Sequence, residues 1–525
     1  MKRMAATAVF LVLLMLAVGG SACTAVYVGR QASDDGTVIL AKSNDHQDIW
    51  ANYVEVVERV ENVPGRSMAV NDAHSVFYPL PETTFRYVGT PWMDSTVRYN
   101  GLAHDASVCA NEYGVTMEMS ITAITNGAAL AADPLVPEGL TEDAAVDLVV
   151  CQSATARDGV RILCDIMDRY GSSECNIAFI ADQREVWYIE MYTGHQYAAV
   201  RLPEDQVCAF GNEFNLLYLS AFEESIASPG LISVAEENGF AVKNEEGELN
   251  LYETYAGNGV RCDYSHMRTW IGHQILAPSV YGGDYDIETD FPLCFRADGK
   301  VSLEEVQSLI RNRYEGTKYS PDETGRTDMR VIGTDTAMSV HIAQIYPELP
   351  AELSCVVWES PAPAVYGVFV PVSNASLRVS EPYSSNQAAD REKAFDTEHY
   401  PWYLFKTINT ECVERDCVAA YGAPVRAYWR QAEKQMTAGM KKALEEAAKD
   451  PENGAETITA YCVQVQNQAF ADAKQILNDL LWTKAVNSNT QKNALDPETH
   501  AVLDTMKPLT QLQIAADGSG YAYAE

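Results

Sequence analysis

The sequence predicts an α+β chain: a layered body of strands and helices to about residue 376, then a mostly helical extension over 377–525. Three observations carry that expectation. Short runs that alternate with period two and are rich in β-branched and aromatic residues flank two helical stretches in the first half. Gly, Asp and Pro signals punctuate these runs where turns are needed. Beyond Ser376 the β signal fades and long 3.6-residue patterns replace it.

The chain opens with Lys2 and Arg3, an apolar run over 5–18 broken only by Thr7, and the small residues Gly19-Gly20-Ser21-Ala22. This reads as a secretory signal peptide over 1–22, too short for a comfortable membrane span. Cleavage would then leave Cys23 as the first residue. Three readings of that cysteine stand open. It is an N-terminal nucleophile with its own amine as base, the lipidated cysteine of a surface protein, or a small buried residue. Gly20 fits the lipoprotein pattern poorly, because that pattern wants an aliphatic residue three before the cysteine.

After Cys23 the pattern is β. Residues 24–31 alternate, Asp34-Asp35-Gly36 signals a turn, and 37–41 resume as a strand. Folding this hairpin puts Asp45 roughly opposite Ala25 and returns Lys42, Asn44 and Asp45 to Cys23. A second β tract covers 101–121, with Asn111-Glu112-Tyr113-Gly114 as its turn. Helices follow at 141–151, capped by Thr141, and at 157–170, ended by Gly171. Strands at 176–181 and 185–191 pair about Asp182-Gln183-Arg184. A loop covers 281–298, a helix 303–314, and strands 337–345, 354–359 and 366–371 close the body. Helical patterns then occupy 415–449 and 458–481, with Met436 and Met440 on a face expected to pack on the body.

Charge and cysteine spacing exclude several classes. Lys and Arg total 38 against 73 Asp and Glu, a formal charge of −35, and no basic cluster exists to neutralise phosphates, so nucleic acid is not an expected partner. The twelve cysteines are scattered. No disulfide framework can be read from them, and Cys412 and Cys417 lack zinc-knuckle spacing. HExxH, Walker, GxGxxG and GxSxG motifs are all missing. The sequence therefore implies no metal and no cofactor.

An ordered set of motifs resembles one family. Cys23-Thr24-Ala25, Asp35-Gly36-Thr37, Lys42-Ser43-Asn44-Asp45, Asn111-Glu112-Tyr113-Gly114-Val115 and Trp187-Tyr188-Ile189-Glu190 come first. Gly194-His195-Gln196-Tyr197, Arg268-Thr269-Trp270 and Arg313-Tyr314-Glu315-Gly316-Thr317 follow in order. Together they resemble the bacterial dipeptidase A family, cysteine N-terminal-nucleophile hydrolases related to penicillin V acylases and bile-salt hydrolases. The resemblance implies a four-layer αββα sandwich over 23–376 with a helical C-terminal extension.

It also implies roles for particular residues. Cys23 is the nucleophile. Its thiol, ordinarily near ~8.5, can pass a proton to its own α-amine, near ~7.7–8.0, so no histidine is required and His46 and His195 are not needed as bases. Asp45 holds the α-ammonium, Asn111 sits beside the oxyanion, Asn212 orients amine or substrate, and Arg268 organises the site. Lys42 stands where relatives commonly carry Arg, and a lysine cannot present the planar guanidinium fork; a surface salt bridge is its alternative role. The expected activity is hydrolysis of dipeptides by an exported, extracellular or cell-envelope enzyme, with homo-oligomerisation left open and no membrane contact beyond the export signal. An N-acyl amide hydrolase and a lipid-anchored, non-catalytic surface protein are the alternatives.

Overall fold

The computed structural model describes residues 23–46, 49, 51–93, 106–119, 121–256, 261–326, 328–385, 395–413 and 421–490. The expected signal peptide and Cys417 lie outside them. The main strands are β1 Ala25–Val28, β2 Val38–Asp45, β3 Glu55–Val57, β4 Tyr87–Pro91, β5 Ala106–Asn111, β6 Thr116–Glu118 and β7 Asn176–Ala181. They continue with β8 Val186–Met191, β9 Tyr197–Arg201, β10 Val207–Phe210, β11 Ser225–Ala227, β12 Ala337–Ile345, β13 Cys355–Ser360 and β14 Val370–Ser373. The main helices are α1 Glu142–Val150, α2 Ala156–Tyr170, α3 Asp263–Leu276, α4 Leu303–Leu309, α5 Pro401–Val413, α6 Ala423–Ala447 and α7 Gly454–Thr490.

Two antiparallel sheets form the body. Sheet one runs β10-β1-β2-β12-β13-β14, and sheet two runs β11-β9-β8-β7-β6-β5-β4-β3. Side-chain alternation divides the core. Ala25, Tyr27 and Leu40 of sheet one share an apolar cluster with Val108, Phe179 and Tyr188 of sheet two, because residues two apart on a strand share a face. Val26, Ile39 and Ala41 turn the other way and pack with α3, α4 and α5–α7. On sheet two, Cys109, Ile180 and Trp187 pack under α1 and α2. Both faces of each sheet are covered, which explains why all eight residues of β2 are buried.

Several expectations shift by a few residues, for identifiable reasons. Ala25 pairs with Lys42 rather than Asp45. The chain leaves the ladder after Val28, with the Gly29 and Gln31 amides donating to Gln206 and Glu204 carbonyls at 3.0 and 2.8 Å, so the connection is longer than a tight hairpin. Thr141 precedes α1 but makes no capping bond; its hydroxyl is committed to Asp72. Helix α4 ends at Leu309 instead of 314. Just beyond it Arg311 turns inward to the Ala364 and Gly367 carbonyls and the Glu433 carboxylate. Those bonds hold 364–367 out of the ladder, and the last strand starts at Val370 rather than 366.

Helix α5 has no counterpart among the expected elements, and 414–420 fall outside the described residues. The C-terminal helices share one apolar cluster with sheet one, Met436 and Met440 included. A buried ion pair between Arg311 and Glu433 ties α6 to the body, and the Trp402 indole of α5 donates to the Met338 carbonyl at 2.7 Å. Among the described residues no helix is long and apolar enough to cross a membrane.

Candidate active site

Cys23 immediately precedes β1, and the end of β2 comes back beside it. The backbone bond from Ser43 N to Thr24 O (3.0 Å) and the return bond from Thr24 N to Ser43 Oγ (3.1 Å) fix this approach. Cys23 Sγ lies 3.7 Å from Asn44 Oδ1 and is fully buried. Asp45 is buried next to it. One of its oxygens accepts from Ser43 Oγ at 3.0 Å and pairs with the Arg330 guanidinium. Its other oxygen, Oδ1, is buried with no hydrogen-bond partner.

Helix α3 supplies the third side of the site. Arg268, fully buried, donates through Nη1 to the Cys23 carbonyl and to Thr24 Oγ1 (3.0 Å), and through Nη2 to Asn212 Oδ1 (2.8 Å). Asn212 Nδ2 in turn donates to the Thr122 carbonyl at 2.7 Å. Its flanks are clamped by the same helix: Thr269 Oγ1 accepts from Gly211 N at 3.3 Å and donates to Glu213, and His266 sits 3.1 Å from Glu213. A Cβ at Gly211 would lie 2.6 Å from the Ser265 carbonyl oxygen and 3.0 Å from the Arg268 guanidinium carbon. Only glycine lets the loop approach the helix this closely.

Lys42 is wholly buried and donates to the Met119 carbonyl, which rules out the surface salt bridge. It points between the sheets because it shares a face with Leu40. In register beside it stand His341 on β12 and Glu359 on β13, and His341 Nε2 lies 3.0 Å from Glu118 of sheet two. Burial holds His341 below its ordinary value despite that carboxylate, and pushes Glu359 well up.

The charges act on the thiol in opposite senses. Burial pushes the Cys23 thiol up, Lys42 pulls it down, and Asp45 and Glu142 push it up again. Burial also raises the Asp45 carboxyl, against the pull of Arg330 and Arg268. Glu142, the first residue of α1, is half-buried and accepts from Asn176 Nδ2 at 2.6 Å.

Asn111 is the correction. It is fully buried in the turn between β5 and β6, and its side chain is used up there. Nδ2 donates to the Val150 and Ser153 carbonyls at 2.8 and 2.7 Å, while Oδ1 accepts from Tyr113 N and Val115 N at 2.9 and 3.0 Å. No hydrogen remains for an oxyanion. Of the expected site residues, the fold gathers Cys23, Lys42, Asp45, Asn212 and Arg268 and leaves Asn111 out. His195 is tied to Asp133 through Nδ1 at 3.0 Å, a structural contact.

The sequence reading missed Arg330 and gave Glu190 no role. Arg330 lies in a loop with no motif of its own, although the Tyr314 hydroxyl from the quoted Arg313–Thr317 segment donates to its carbonyl. Glu190 closes the Trp187–Glu190 motif and anchors the loop after Asn212. It accepts from Asn215 N (2.5 Å), Leu216 N (3.1 Å), Tyr188 OH (2.6 Å) and Tyr192 OH (2.8 Å). Among the described residues no three His, Cys, Asp or Glu side chains are grouped to hold a metal ion.

With this geometry in view, comparison with known proteins places the chain. The family model described as Peptidase family C69 matches residues 22–416. The chain belongs to peptidase family C69. The matched span takes in both sheets and every residue gathered around Cys23, while α6 and α7 lie beyond it. Relatives of this C69 chain include a "Probable dipeptidase" of Salmonella dublin, 32% identical over 342 residues, covering 64% of this chain and 77% of the relative. A "Probable dipeptidase B" of Streptococcus pyogenes serotype M1 is 28% identical over 419 residues, 77% of this chain and 80% of the relative. A "Probable dipeptidase B" of Lactococcus lactis subsp. lactis is 31% identical over 348 residues, 64% and 71% respectively.

Proposed function

We propose that the chain is an exported cysteine dipeptidase that becomes active when removal of residues 1–22 frees the α-amine of Cys23. The observation that carries this reading is the buried Asp45 Oδ1, left without a partner beside a cysteine whose carbonyl is gripped by Arg268. A buried carboxylate oxygen with nothing to accept is costly, and an α-ammonium on Cys23 is the group that would satisfy it. The two covered sheets support the αββα sandwich of an N-terminal-nucleophile hydrolase, with residues 23–376 as its body.

The chemistry follows from the site. Because burial pushes the Cys23 thiol up, attack needs a base at the moment of bond formation. The freed α-amine, near ~8, takes the proton, and the sulfur adds to the scissile carbonyl. Negative charge then develops on the carbonyl oxygen and calls for a preorganised donor. We assign that role to Asn212 Nδ2, which spends one hydrogen on Thr122 and is oriented through Oδ1 by Arg268. The α-ammonium returns its proton to the leaving amine, and water hydrolyses the thioester. Lys42 adds positive charge near the sulfur. The relatives' naming as dipeptidases supports dipeptides as substrates, and the Glu142 carboxylate close to the thiol favours a substrate with a free α-ammonium.

The test compares each dipeptide with its N-acetylated form, using protein whose intact mass shows residues 23–525 without lipid. Dipeptides should be cleaved, iodoacetamide should stop the reaction by alkylating Cys23, and EDTA should not. Faster cleavage of acetylated substrates moves the assignment to an N-acyl amide hydrolase. A diacylglycerol-bearing mass would eliminate the amine-base mechanism and leave a lipid-anchored protein.

A further inference from the structure

Away from the catalytic cluster, a second pair of groups is poised for covalent chemistry. Cys208 Sγ on β10 and Cys294 Sγ lie 3.2 Å apart, closer than the roughly 3.5–4 Å at which even the smaller carbon atoms rest when non-bonded. Their backbones account for the approach. Val207 and Phe295 form an antiparallel bridge and exchange both hydrogen bonds, Val207 N to Phe295 O at 2.9 Å and Phe295 N to Val207 O at 3.0 Å. The next pair along, Cys208 opposite Cys294, is therefore a non-hydrogen-bonded pair. In such pairs the Cα atoms approach to about 4.5 Å and the side chains are closest, within the Cα range of about 4.4–6.8 Å that a disulfide spans.

We propose that Cys208 and Cys294 form a disulfide that staples the segment ending at Phe295 to the edge strand of sheet one. Its formation in the cell rests on the export reading above, since exported chains meet oxidising conditions; the pairing itself rests only on the geometry. Cys294 is the entry point. It is half-buried and borders, with Pro292, Leu293, Asn215 and Leu217, a cavity of about 560 Å³, whereas Cys208 is fully buried. Cys294 gives its proton to water and its sulfur attacks a donor disulfide, either that of a thiol–disulfide oxidoreductase or glutathione disulfide. The donor S–S bond breaks and one donor thiol leaves. The Cys208 sulfur, losing its own proton, then displaces the second donor thiol from Cys294. Two protein thiols are oxidised and one donor disulfide is reduced to two thiols.

The position gives the bond a structural consequence. The stapled segment also receives α3: His266 Nε2 lies 2.9 Å from the Thr289 carbonyl and His273 Nε2 lies 3.0 Å from the Pro292 carbonyl. Helix α3 carries Arg268. The disulfide would thus lock together the strand, the helix and the covering segment that deliver Arg268 to Cys23.

The experiment takes purified protein, fully reduces it, equilibrates it with glutathione disulfide, alkylates it in denaturant and maps the peptides by mass spectrometry. The expected product is one cross-linked peptide containing Cys208 and Cys294, two hydrogens lighter than the sum of its parts. It should come with a Tm about 2–4 °C above the reduced form, and Cys294→Ser should show neither. Recovery of both residues as alkylated thiols, or of a stable glutathione adduct on Cys294 with Cys208 alkylated, overturns the proposal. Because the readout is the bond and not peptide hydrolysis, such a failure would leave the dipeptidase reading standing.

Discussion

The turn at Asn111 and the cluster at Cys23 are both buried, both polar and both built on strand ends, and both carry an asparagine to which the family resemblance gives a role. They differ in what is left over. At the turn, two donated and two accepted hydrogen bonds exhaust the Asn111 amide, and Gly114, at φ +75° with a would-be Cβ 2.3 Å from Ser354 Oγ, completes a rigid corner. At Cys23 a carboxylate oxygen of Asp45 has no partner, and the hydrogen bonds of Asn212 use only one of its two amide hydrogens. A saturated polar cluster stabilises a fold; one held short of saturation can act on a substrate. Burial and motif membership do not separate the two cases, and hydrogen-bond bookkeeping does.

The sharpest way to break this contrast is Cys23→Ala. Hydrolysis should fall by roughly 10⁴-fold or more, while urea unfolding should shift by no more than about 1–2 kcal/mol. Residual activity above a few per cent would remove Cys23 from the chemistry. Asn111→Ala should do the reverse. Leaving two buried carbonyls and the buried Val115 amide unpaired should cost about 3–5 kcal/mol of stability, with kcat of the folded fraction within a few-fold of the parent. A stable variant with kcat lowered a hundredfold would restore Asn111 to the oxyanion site.

Arg268→Lys tests the link between helix and nucleophile. A lysine cannot reach the Cys23 carbonyl and Asn212 Oδ1 at once, so kcat should fall about 10²-fold with a smaller change in KM. An unchanged kcat would show that Asn212 needs no such positioning.

Glu190 offers the most diagnostic effect, because burial perturbs its carboxyl even though four donors surround it. Burial pushes its carboxyl up to about 7 against those donors. The folded state therefore holds this proton more tightly than the unfolded chain, whose glutamates titrate near ~4.3. Its contribution is most favourable below that value and is lost as pH rises through about 7, a change of about 2–4 kcal/mol. Glu190→Gln should flatten that part of the pH–stability profile. If parent and variant differ by the same amount at about pH 5 and about pH 8, Glu190 does not titrate in that window.

The regular elements were legible where local chemistry decides them. Helix α2, with its Gly171 stop at φ +72°, and strands β7, β8 and β12 stand within a residue or two of where periodicity and turn signals put them. Legibility failed where a distant partner takes over the backbone. Arg311 reaching Glu433 stops α4 early and delays β14, and α5, anchored through Trp402 on the Met338 carbonyl, leaves no periodic signature strong enough to read.

Within the site the same division holds. The return of Lys42, Asn44 and Asp45 to Cys23 is a local consequence of one β-turn-β unit, and the sequence alone determined it. So did the family, because an ordered set of short motifs survives where no single one would suffice. Tertiary structure alone decided that Arg330 pairs with Asp45, that Lys42 is buried in a seam with His341 and Glu359, that Glu190 anchors the Asn212 loop, and that the Asn111 side chain is spent on the carbonyls of Val150 and Ser153 and the amides of its own turn. Each of these depends on which atoms are left unpaired once two sheets close over them. That balance is set by contacts across tens to hundreds of residues, which spacing along the chain does not encode.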